Sequence, residues 1–159
     1  MANTKSIAEL ERYQEYLQTK LEQLSYMSGK ALYDKTGVAS KAQEITNYMC
    51  AIHDKISLLE NEIMIAYLSN TVSSNGEEMS VYQAITILNG YKKKKEIYKA
   101  LQFDVFYMTR HGESSTVDMD AIGNMVMEID GHIYNLCDKI QKAKEVSTVE
   151  IDMQDFIVE

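Results

Sequence analysis

The 159 residues are 45% hydrophobic and carry a formal charge of −8, enough apolar material for one globular core without disulfides or metal. The longest apolar runs, such as Met64 to Leu68, fall far short of the ~20 residues that span a bilayer, which excludes a helical membrane protein. An acidic chain also disfavours nucleic-acid polymers, which are held by neutralising their phosphates.

The opening residues, Met1 to Ser6, lead straight into a charged amphipathic segment with no apolar core of a signal peptide, so a cytoplasmic location is expected. Cys50 and Cys137 lie far apart inside helical patterns and are expected to be reduced thiols. There is no proline and there are only seven glycines, which favours long uninterrupted helices. Charge is unevenly spread. Residues 81–117 carry six Lys/Arg against three Asp/Glu, whereas residues 118–159 carry three against ten.

The first helix is predicted over about 6–32. It opens on Ser6-Ile7-Ala8-Glu9, a capping box in which serine and glutamate satisfy each other's amides. Ile7, Leu10, Gln14, Leu17, Leu21, Leu24, Ser28 and Ala31 then follow at three and four, the 3.5-residue repeat of a coiled coil. Gln14 and Ser28 weaken that seam while fixing its register. Tyr33 to Ser40 reads as a short connection, which makes the second helix, about 42–70, an antiparallel neighbour. Its seam is Ile45, Met49, Ile52, Ile56, Leu59, Ile63 and Ala66.

Ser73-Ser74-Asn75-Gly76 has the composition of a turn. A second capping box, Ser80 to Gln83, opens a third helix over about 80–102, with Val81, Ala84, Leu88, Tyr91, Lys95 and Tyr98 in register across the Asn89-Gly90 pair. Beyond it the period fades. Phe103, Val105, Phe106 and Tyr107 suggest a short strand near 103–107, and Thr109 to Ser115 reads as a polar loop around Gly112. Asp118 caps a fourth helix, about 118–145, with the seam Met119, Ile122, Val126, Ile129, Ile133, Leu136, Ile140 and Ala143. The tail from Ser147 alternates polar and apolar residues as an exposed strand would. The expected fold is all-α: a single helical domain, 1–159, of four long amphipathic helices paired as two antiparallel coiled-coil-like hairpins. Seams this long exceed what one small chain covers, so a homo-oligomer is expected.

The order of these features resembles the septicolysin-like family of small bacterial and phage-borne helical proteins. The resemblance runs through Leu17, Leu21 and Leu24, then Asn70-Thr71, then Gly76, Met79, Ser80, Ala84 and Ile85. It continues in Arg110 and Glu113, and in Val117, Asp118, Asp138, Ile140 and Gln141 of the closing helix. It implies a helical framework and a phage or bacterial origin, with no biochemical activity attached. The chain departs from the family at Leu88-Asn89-Gly90, where the family tends to carry two arginines and an aspartate.

Three constellations bear on chemistry. Cys50 with His53, and His132 with Cys137, raise a metal site, but the close ligand pairs of a zinc motif are missing, so no metal or other cofactor is expected. Glu60, Glu62, Glu128 and Asp130 invite comparison with the magnesium-dependent all-helical nucleotide pyrophosphatases, yet the members of each pair point to different helix faces. With no nucleophile elbow, P-loop or dinucleotide turn, no enzyme is expected.

The sharpest local signal is the basic segment from Tyr91 to Thr116. Tyr91, Lys92, Lys95, Tyr98 and Lys99, followed by Arg110, His111, Ser114, Ser115 and Thr116, combine cations, hydroxyl donors and aromatic rings. That chemistry suits a phosphate joined to a flat base. The leading expectation is a non-enzymatic oligomer that captures a small anionic, nucleotide-like ligand, in keeping with a phage-borne sponge for a host signalling nucleotide. The alternative is a structural or interaction module whose seams serve assembly alone.

Overall fold

The computed structural model describes residues 3–33, 38–74, 76–112 and 117–156. In chain order the elements are β1 (Asn3–Ser6), α1 (Ile7–Tyr33), α2 (Val38–Ser69), β2 (Thr71–Ser74), β3 (Glu77–Ser80), α3 (Val81–Arg110), α4 (Met119–Val146) and β4 (Thr148–Ile151), closed by a 3₁₀ turn over Met153–Phe156. They form two compact units, one of Met1–Ser69 with Lys144–Glu159 and one of Asn70–Ala143. No helix among the described residues is long and apolar enough to cross a membrane.

The first unit is the α1–α2 hairpin with both chain ends laid on it. Ser6 and Glu9 form the expected capping box: the Glu9 carboxylate accepts from the Ser6 amide at 2.8 Å, and the Ser6 hydroxyl accepts from the Glu9 amide at 3.2 Å. That backbone amide, helped by Lys5, holds the Glu9 carboxyl below its ordinary range. The two apolar seams meet as antiparallel neighbours, Leu17 against Ile52 and Ile56, and Leu10 against Leu59 and Ile63. Gln14 sits in the seam and donates to Glu60 across it at 3.0 Å, a polar pin for the register. α2 begins at Val38, earlier than its apolar period announces.

The tail docks: β4 pairs antiparallel with β1, and Ile151 and Phe156 join Leu10, Leu59 and Ile63 in one cluster. The Tyr13 hydroxyl donates to the Phe156 carbonyl at 3.0 Å. Strand β1 has no signature in the sequence; its four residues, Asn-Thr-Lys-Ser, are polar and take strand form against a partner more than 140 residues away.

The second unit starts with the β2–β3 hairpin where a turn is expected, with Ser74 opposite Glu77 and Gly76 at φ 83°, a left-handed conformation that glycine adopts without strain. The Ser80–Gln83 box then launches α3, Ser80 accepting at 3.1 Å and Gln83 at 2.9 Å. α3 runs unbroken through Asn89 and Gly90 to Arg110, which corrects the sequence reading at its far end. Residues 103–107 are helix, not strand: Val105 is buried in continuation of the α3 seam, and the Thr109 hydroxyl donates back to the Val105 carbonyl at 2.9 Å. Aromatic rings favour strands only where a sheet neighbour receives them, and none pairs here. Asp118 caps α4 by accepting from the amides of Asp120 and Ala121 at 2.9 and 3.1 Å.

Candidate functional site

α3 presents three sides, and the basic segment is divided among them. At about 100° per residue, Val81, Ala84, Leu88, Tyr91, Lys95, Tyr98 and Val105 share the side that meets α4. Lys95 does not reach solvent as a free cation: its ammonium donates to the Asp130 carboxylate of α4. One turn earlier Tyr91 stacks on His132, ring centres 5.1 Å apart and planes 15° from parallel. The rising numbers on α3 meet falling numbers on α4, so the hairpin is antiparallel. Tyr98 is half-buried along the same seam.

Lys92, Lys93, Lys94 and Lys99 are exposed. The Lys94 ammonium lies 5.9 Å from the Tyr91 ring centre, within reach of its electron-rich face. Arg110 and His111 are at the other end of the helix, Arg110 as the last helical residue rather than in a loop. His111 follows as the C-cap, its ring 4.3 Å from Tyr107. Fifteen residues separate Lys95 from Arg110, about 22 Å of helix, so one small ligand does not touch both. Ser114, Ser115 and Thr116 lie outside the described residues.

A cleft of about 180 Å³ opens between the β2–β3 hairpin and the two helices, lined among others by Glu77, Met79, Tyr91, His132 and Asn135. It is smaller than the ~300 Å³ at which ligand pockets begin. The acidic side chain in its lining is Glu77, the wrong sign for an anion.

The carboxylates and thiols fare similarly. Glu60 is engaged by Gln14, Asp130 by Lys95, and Glu128 lies 3.7 Å from His132 on its own helix. Cys50 and His53 flank a shallow groove in the first unit with Glu22, Cys50 exposed and Cys137 half-buried, both as free thiols. No three His, Cys, Asp or Glu side chains converge among the described residues.

A concentrated polar cluster lies in the first unit. Glu11 accepts from the Tyr67 hydroxyl and from Lys144 at 2.6 Å, and the Lys144 ammonium sits 5.1 Å from the Tyr67 ring centre. Burial, reinforced by the hydrogen bond to Glu11, pushes the Tyr67 phenol well above the ordinary tyrosine value. A tyrosine held so firmly in its protonated form is a poor general base. The cluster joins α1, α2 and the end of α4 as a structural tie.

What the sequence reading passed over is apolar. Two further stripes run along α3 outside the core seam. One comprises Ile97, Leu101 and Met108, the other Phe103 and Phe106 between Lys99 and Arg110, and all five apolar side chains are exposed. No protein-family model, curated protein or solved structure matches the chain.

Proposed function

We propose that the chain is a non-enzymatic, homo-oligomeric helical interaction module, in which the α3–α4 hairpin of the second unit is the associating arm. One observation carries this: the hairpin's outer flanks hold large apolar side chains in solvent. Ile97, Phe103 and Phe106 of α3 are 66, 68 and 60% exposed, and Met127 and Tyr134 of α4 are 74 and 79% exposed. Isolated exposed apolar residues are ordinary, but several in register along one helix, as Ile97, Leu101 and Met108 are on α3, mark a surface that another molecule covers. Two helices bury one seam between them, and a third and fourth are needed to bury the flanks as a bundle does.

Light scattering of the full chain at micromolar concentration is expected to give at least twice the 18.2 kDa of one chain. A monomer that persists to about 100 μM, a concentration where even weak specific pairs form, overturns the reading.

A second reading rests on a different observation. Lys99, Phe103, Phe106 and Arg110 fall at intervals of four, three and four on one side of α3, with Lys92 two turns before, so cations bracket two exposed rings. Such a stripe suits an anionic ligand with a flat ring, the nucleotide-like class, and its role would be that of a sponge for a host signalling nucleotide. Thermal shift against a nucleotide panel is the test. For the best nucleotide, Arg110→Ala is expected to lower affinity by about 1.5–3 kcal/mol, the scale of a charged hydrogen bond, with the melting temperature of the free protein unchanged. Equal affinities for wild type and variant sink it.

A further inference from the structure

We infer that the outer stripe of α3 pairs with the same stripe of a second copy as an antiparallel two-stranded coiled coil, with its two-fold axis level with Lys99. The inference rests on the assembly reading above and names the surface and register of that assembly. On the side of α3 away from the α4 seam, Gly90, Lys94, Ile97, Leu101, Asp104 and Met108 follow at intervals of four and three. That is a second heptad stripe on a helix whose first is already used. Ile97, Leu101 and Met108 are exposed, as are Gly90, Lys94 and Asp104.

The order of these six residues specifies the partner. Laying two copies antiparallel about Lys99 sets Ile97 opposite Leu101 of the other copy, an apolar layer that occurs twice by symmetry. The next layer out sets Lys94 opposite Asp104, opposite charges, again twice. The outermost sets Gly90 opposite Met108, the smallest residue against a long flexible one, and nothing lies within 4 Å of where a Cβ on Gly90 would stand. Every layer is complementary in size or in charge. A parallel, in-register pairing would instead set Lys94 against Lys94 and Asp104 against Asp104, like charges in one seam, which is disfavoured. The stripe therefore selects both its own copy and its direction. From Gly90 to Met108 it is about 27 Å long, a small interface that predicts micromolar association.

Charge reversal and swap read this register. In sedimentation equilibrium of the full chain, Lys94→Glu is expected to weaken the wild-type dimer about tenfold, because glutamate then faces Asp104 at two symmetric places. Asp104→Lys should do the same, and the double variant K94E/D104K should return to within about threefold of wild type, since the swap restores both pairs. Leu101→Asp should abolish association with helical circular dichroism retained, its side chain being at the surface. A wild-type dimer that neither single reversal weakens overturns the stripe while leaving the assembly reading intact. Weakening without rescue in the double variant overturns the register. A wild-type monomer overturns both.

Discussion

Leu59→Ala is expected to destabilise the first unit by about 2–5 kcal/mol, the range for truncating a large aliphatic side chain in a close-packed core. Leu59 is fully buried and lies in the cluster that also holds Leu10, Ile63, Ile151 and Phe156. It thus touches α1 and the docked C-terminal tail at once, and neither collapses into the space of the lost carbons without breaking the β1–β4 ladder or the Tyr13 bond to Phe156. Urea unfolding followed by circular dichroism gives the value. For contrast, Leu58 is next to it in the chain but 53% exposed; Leu58→Ala should change stability by under ~0.5 kcal/mol. Similar losses for the two would mean that the α1–α2 seam is not where the three-four spacing places it.

That seam was legible because its signal is redundant. Ile52, Ile56, Leu59, Ile63 and Ala66 all fall on one side of a helix, all are buried, and no proline or glycine competes with the pattern. Both capping boxes are legible for a similar reason, since two residues three positions apart suffice to state them. Where the signal fails, propensity and packing disagree. Phe103, Phe106 and Tyr107 have strand propensity, yet they lie on a helix because Gln102, Val105 and Thr109 continue the seam in residues too mixed to read as apolar. β1 escapes notice because its strand form comes from β4, at the opposite end of the chain.

For the surface, the lysine run was legible as charge but not as geometry. Only the three-four register separates Lys95, turned onto Asp130, from Lys92, Lys93 and Lys94, which are exposed. The glycine and hydroxyl residues around Arg110 group it with a loop, whereas the helix runs two residues into that polar stretch, through Thr109 and Arg110. The outer stripe of α3 was present in the sequence as a second three-four series, hidden by the stronger inner one and by the two charges, Lys94 and Asp104, that interrupt its apolar character.

Raising the pH above about 10, where a tyrosine in an unfolded chain ionises, is expected to weaken the first unit more in wild type than in Tyr67→Phe. The folded Tyr67 phenol holds its proton to higher pH, first because burial penalises the phenolate and then because its hydroxyl donates to the Glu11 carboxylate. Between the unfolded and folded values the native state therefore binds more protons than the unfolded one, and stability falls as pH rises through that window. Below it the contribution is fully present. Other tyrosines and the lysines also titrate there, so the informative quantity is the difference between the two proteins. Tyr67→Phe loses the hydroxyl and leaves Glu11 with Lys144 alone at 2.6 Å. It should be less stable than wild type at pH 8 by about 0.5–1.5 kcal/mol, the net worth of one hydrogen bond. Its decline above pH 10 should be shallower, and the two stability curves should converge. Parallel curves from pH 8 to 12 would show that the Tyr67 phenol is not held by Glu11 and that the Glu11–Tyr67–Lys144 tie does not join the helices as the structure has it.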